Sequence, residues 1–412
     1  MEQAAPVTPD RLGWVITPAS GGLTQEQRDW LRVNAYLQAN RYELAVRAAG
    51  EYPVEARVAG TPLLAAPSWR PTAPVPLTDI RLEFRAEPEP PRSATATVAR
   101  VAPSLLPRRP DGTRYGRFSE AIGDLAAPAV FENRPVYRPI AAGLSGDDPH
   151  LTFTRGRFFD GVDVGGAVAH EYAAARLPSG GEPRESQPGE LRLRDALGDP
   201  CDLTARPATM AIAALTLRYD RATRTASFPL HFRDPARVSH AGGMIQVIPV
   251  GIFQPSGEAA WNEANDFDLW RGMVREYAEE LLGEDEDHGS ETSPIDYDGW
   301  PLAGRMSAAR DAGRIRAYCL GLGTDPLTFA MDLLTVVVID AGVYDELFGA
   351  TVASNAEGSV LPPRPLDKRC VADLIARHPV QAAGEALLTL AVAHADALLG
   401  GAGRREAGRR PS

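Results

Sequence analysis

Trp270-Arg271-Gly272-Met273-Val274-Arg275-Glu276-Tyr277-Ala278-Glu279-Glu280-Leu281-Leu282-Gly283 is the run whose reading decides the fold. Trp270, Met273, Val274, Tyr277 and Leu281 recur at helical spacing, which predicts an amphipathic helix with an apolar stripe turned to a core. Glu276, Glu279 and Glu280 stand at i, i+3 and i+4, so their carboxylates share one face. Like charges at that spacing oppose a helix by roughly 0.2–0.5 kcal/mol per pair. A hard divalent cation reverses the sign, because carboxylate oxygens are its preferred ligands and substrate phosphates often complete its shell. Without such an ion the face is a solvated acidic surface, prolonged by Glu284-Asp285-Glu286-Asp287.

The order Arg275-Glu276-Tyr277-Ala278-Glu279-Glu280 resembles the core of the Nudix box. Counting back from Arg275, the family's glutamate falls on Phe267, between Asp266 and Asp268, and its glycine falls on Trp261. Counting forward, the closing glycine falls on Leu282, with Gly283 one place late. Pro249-Val250-Gly251 and Phe253-Gln254-Pro255 are similar to the strand and turn that lead into the box, although the loop from Ser256 to Phe267 is longer. Its Asn262, Glu263, Asn265 and Asp266 are read as capping the helix, a position that Asn and Asp favour.

The resemblance implies an α+β fold, a Nudix-like α/β/α sandwich with a mixed β-sheet, preceded by an N-terminal helical and proline-rich extension. It implies Mg²⁺ or Mn²⁺ held by Glu276, Glu279 and Glu280, with Arg275 orienting a box glutamate. The substrate is then a nucleoside diphosphate linked to another moiety. Asn355-Ala356-Glu357-Gly358 is similar to the closing strand of longer members, making Glu357 a candidate catalytic carboxylate. The alternative is a Nudix-fold protein that no longer hydrolyses and serves as a ligand sensor or regulator, its first 110 residues acting as an interaction arm.

Composition narrows the partners. With 412 residues, 44% of them hydrophobic, the chain can bury a large core and hold two or three domains. A net charge of -11 argues against wrapping nucleic acid, which requires a basic stripe. No run of about eighteen apolar residues is present, and Met1 to Trp14 lack the pattern of a leader, so no membrane partner and a cytoplasmic location are expected. A small nucleotide-like molecule is the expected partner, with homo-oligomerisation left open. Cys201, Cys319 and Cys370 are too scattered for a disulfide framework or metal knuckle. Lys368, the only lysine, follows no glycine-rich loop, which removes P-loop chemistry. No GxSxG elbow occurs, and Gly321-Leu322-Gly323 is expected to form a turn rather than a dinucleotide fingerprint.

Four regions follow. Residues 1–110 hold a helix from the Thr24-x-x-Gln27 capping box to about Ala49 and then a proline-rich connector with a short strand at Ile80–Phe84. Residues 111–205 carry a strand from His150, a turn at Asp160-Gly161 and a helix from about Asp163, on which His170 and Glu171 are expected to have a structural or surface role. Residues 206–400 are the Nudix-like domain, with paired strands around Asp220–Thr223 and strands at Met244–Phe253, Ile315–Leu322 and Leu333–Ile339. A last helix, Gln381–Leu399, is apolar on most sides, and the arginine-rich tail, residues 401–412, is expected to be disordered.

Overall fold

Strand β10, Met331–Asp340, runs parallel to β5, Met210–Asp220, with Met331 opposite Met210 and Asp340 opposite Tyr219. Both strands are almost wholly buried and rich in Val, Leu and Ile, the composition of strands covered on both faces. They form the centre of a mixed sheet in this computed structural model, which describes residues 22–86, 94–128, 130–178, 189–233, 242–284, 289–349 and 358–400. Sheet order is β1 (Val75–Pro76), β9 (Ile315–Thr324), β10, β5, β6 (Thr225–Arg233) and β11 (Gly358–Pro365). The fold is therefore α+β with parallel and antiparallel pairs in one sheet.

Strands β5 and β6 form the expected hairpin, but they pair only between Arg218–Asp220 and Thr225–Ser227. Beyond that point they diverge. The exposed edge of β5 takes β8, Val250–Ile252, and that of β6 takes β7, Ile245–Gln246. The single strand expected over Met244–Phe253 is thus two pieces, separated at Pro249, which has no N–H to give to a ladder.

The proline-rich stretch supplies strands to both sheets. Val75 and Pro76 pair with Cys319 and Tyr318 of β9. Strand β2, Arg81–Arg85, lies parallel to β4, His150–Arg157, in a second sheet that β3, Pro135–Gly143, completes.

The expected N-terminal helix breaks at Asn40 into α1, Gln25–Ala39, and α2, Arg41–Gly50, and Thr24 forms the capping box with Gln27. Helix α3 is Ala94–Val101 and α4 is Phe118–Leu125. Helix α5, Phe158–Arg176, begins before Asp163 and runs through Asp160 and Gly161. The Asp160 carboxylate accepts the Arg157 N–H at 3.1 Å, so it caps the helix instead of making a turn. His170 donates from Nε2 to the Trp30 carbonyl at 3.1 Å and stacks on the Trp30 ring with centroids 4.9 Å apart. Burial pushes its imidazole down to about 4, so it is a neutral wedge between α1 and α5.

A short helix α6, Arg192–Leu197, precedes β5. The closing helices are α11, Lys368–Arg377, α12, Ala382–Ala393, and α13, Ala395–Leu399, the last two interrupted at His394. No helix among the described residues is long and apolar enough to cross a membrane.

Candidate functional site

The decisive run does form an amphipathic helix. Helix α8 spans Leu269–Tyr277 and continues into one wider turn of π type over Ala278–Leu282, which ends at Gly283 with φ 72°. Glycine tolerates that left-handed conformation without strain. Trp270, Met273, Val274, Tyr277 and Leu281 are all buried, as the spacing predicts.

The helix begins at Asp268, whose Oδ1 accepts the N–H groups of Trp270 at 2.7 Å and Arg271 at 3.0 Å. The residues expected to cap it instead form a helix of their own, α7, Ala260–Asn265. Asp266 is fully buried and organises the loop. Its Oδ2 accepts Ser256 N–H and Oγ–H, both at 2.7 Å, and its Oδ1 accepts the Tyr297 hydroxyl at 2.9 Å. Burial raises the Tyr297 hydroxyl above its ordinary range, so it stays a donor.

Three side chains of the Arg275–Glu280 run meet the segment Val250–Gln254. Arg275, only 4% exposed, donates from Nη2 to the Gln254 carbonyl at 2.6 Å, so its observed partner is backbone. Glu280, 3% exposed, accepts the Val250 N–H on Oε1 at 2.9 Å. Glu276 seats its carboxylate on Gly251, where an added Cβ would stand 1.8 Å from Cδ and 1.9 and 2.1 Å from the two oxygens. The carboxylate thus occupies the space of a missing side chain. Glu276 and Glu280 are one helical turn apart, which is why both reach the same short strand. On the opposite side Tyr277 hydrogen-bonds through its hydroxyl to Thr216 Oγ1 at 2.7 Å, and Thr216 donates to the Ile248 carbonyl at 2.7 Å. Helix and strand are pinned to β5 from both flanks.

Among the described residues, no group of three or more His, Cys, Asp or Glu is arranged to hold a metal ion. Glu276 and Glu280 are the pair that β8 gathers, while Glu279 is half-buried on the π turn. Glu357 lies outside the described residues.

Phe267 and Trp261, ahead of the run, have structural contacts. Phe267 packs among Phe84, Tyr137, Phe153 and Phe253, with centroids 5.3, 5.1, 5.7 and 5.9 Å away. Trp261 is 44% exposed and donates its indole N–H to the Ser290 carbonyl at 3.1 Å. Burial pushes the thiols of Cys201 and Cys319 up to about 11 and about 12, which disfavours a nucleophilic thiolate at either.

The seat of Glu276 on Gly251 has no signature in spacing alone, since the two residues are distant in the chain. Its only trace is the Pro249-Val250-Gly251 turn. The cap at Asp268 was open to detection, being an Asp directly before the apolar stripe. Comparison with known families and with curated proteins found no match to the chain.

Proposed function

We propose that this protein is a Nudix-like, Mg²⁺- or Mn²⁺-dependent hydrolase of a nucleoside diphosphate linked to a second moiety. The observation that carries the proposal is the seating of Glu276 on Gly251 with Glu280 on the neighbouring Val250 N–H. That geometry turns two acids of the helix toward one strand edge, in the order in which the resemblance places them.

Glu276 and Glu280 would hold the cation, which when bound neutralises negative charge on the diphosphate oxygens. Gly251 leaves room for the carboxylate, and any side chain there would evict it. Arg275 fixes the strand beneath the site through the Gln254 carbonyl, a charge-assisted bond made where little water competes. Glu279, half-buried on the π turn, is the third acid that the resemblance implies for the cation. The partner is a small nucleotide-like molecule.

A second reading, a ligand sensor without turnover, is favoured by Phe267. A glutamate in its place would bury a charge among four aromatic rings. One experiment separates the two. The protein is incubated with nucleotide sugars, dinucleotides and nucleoside triphosphates, with Mg²⁺ or Mn²⁺, and phosphate-containing products are followed. Hydrolysis that falls at least about a hundredfold in Glu280→Gln supports the enzyme. Thermal stabilisation by a member of the panel with no product supports the sensor.

A further inference from the structure

At the start of α8, away from the acids at its other end, lies a half-open cavity of about 560 Å³ that no step above uses. Its walls come from the connector at Leu77 and Ile80, from Phe267 and Trp270 where α8 begins, and from Arg310 and Arg316. Arg310 belongs to α9, Pro301–Asp311, and Arg316 to the sheet strand β9. The volume falls within the range of small-molecule sites, about 300–1,000 Å³.

The polarity of the cavity is unlike that of the chain. The protein carries a net -11, yet this cleft presents two guanidinium groups against one carboxylate, Asp268. That carboxylate is already engaged in capping α8. Arg310 lies over the Trp270 ring, 4.7 Å from its centroid, and its Nε is 3.9 Å from the exposed Asp311. Arg316 is different. Its Nε and Nη1 are buried and make no hydrogen bond among the described residues. A buried, charged donor without an acceptor is costly, and the cost disappears when an anion arrives. Strand β1 pairs with β9 at Tyr318 and Cys319 and stops short of Arg316, which lines the cavity.

We infer that this cavity binds a small amphipathic anion: a flat apolar body against Leu77, Ile80 and Phe267, with a carboxylate or phosphate on Arg316 and Arg310. Arginine supplies a planar fork that matches both head groups, and the Trp270 ring positions the Arg310 guanidinium at the cavity wall. The inference is independent of the hydrolase proposal, because none of these residues belongs to the pair of acids that meets β8.

Calorimetric titration of the full chain with 2-naphthoate, 2-naphthyl phosphate and neutral 2-naphthamide tests it. At least one of the two acids is expected to bind one to one, and the amide at least about tenfold more weakly. Preference between the acids tells carboxylate from phosphate. Arg316→Gln is expected to weaken the acid at least about tenfold while leaving the melting temperature equal or higher, since it removes an unsatisfied buried charge. Arg310→Gln, at a half-buried position, is expected to weaken it as well and decides the matter if Arg316→Gln fails to fold. Absence of binding by both acids, equal binding of the amide, or unchanged affinity in the folded variants would overturn the inference.

Discussion

A β-carbon on residue 251 would stand 1.8 Å from Cδ of Glu276, closer than any real contact, and the obstacle is a half-buried carboxylate. Gly251→Ala therefore has to move Glu276 or push β8 off β5. The obstacle is the far end of a flexible side chain, so it can yield at little cost to the fold. The variant is expected to keep a melting temperature close to the parent's and to lose at least about tenfold in metal-dependent turnover, measured by thermal denaturation and product release. At this scale the sequence is legible in some places and silent in others. Residues whose role depends on their own neighbours, such as Thr24 with Gln27, can be read directly, and both hydrogen bonds of that box are present. A residue whose role depends on a distant side chain cannot be read so. Asp266 looks like a cap and is instead the buried acceptor for Ser256 and Tyr297. Arg275 looks like the partner of an acid and holds a carbonyl.

The elements divide on the same principle. Helix α8 is legible because its apolar stripe is five residues long at one period, and all five are buried. Its limits are less so, because the π turn over Ala278–Leu282 changes the period just where the acids lie. That change bears on the site, since it sets which carboxylates face β8. Hydrophobic pattern alone merged β7 with β8 and α1 with α2. In the first case Pro249 interrupts the ladder, and in the second Asn40 sits outside the helical region at φ -124°. The cap of α8 gives a direct test at this scale. Asp268→Ala removes two bonds to helix N–H groups and is expected to cost about 1 kcal/mol in urea denaturation. A change under roughly 0.3 kcal/mol would mean that water satisfies those donors equally well.

Taken whole, the molecule is more interwoven than its composition suggests. The proline-rich stretch, whose residues discourage long elements, still contributes β1 to the main sheet and β2 to the second one. Helix α1 is held to α5 by the Trp30–His170 stack, a contact between residues 140 apart that no local pattern announces. The mixed α+β class follows from alternating strand and helix periods, whereas the order of strands does not, because β8 reaches β5 only where the hairpin partners splay. The account as a whole rests on two acids converging on that strand. Mn²⁺ titration of the full chain, followed by the loss of its free paramagnetic signal, tests it most directly. One Mn²⁺ is predicted to bind, with at least about tenfold weaker affinity in the Glu276→Gln/Glu280→Gln double variant. Failure of the parent protein to bind Mn²⁺, or equal binding by the double variant, would contradict it.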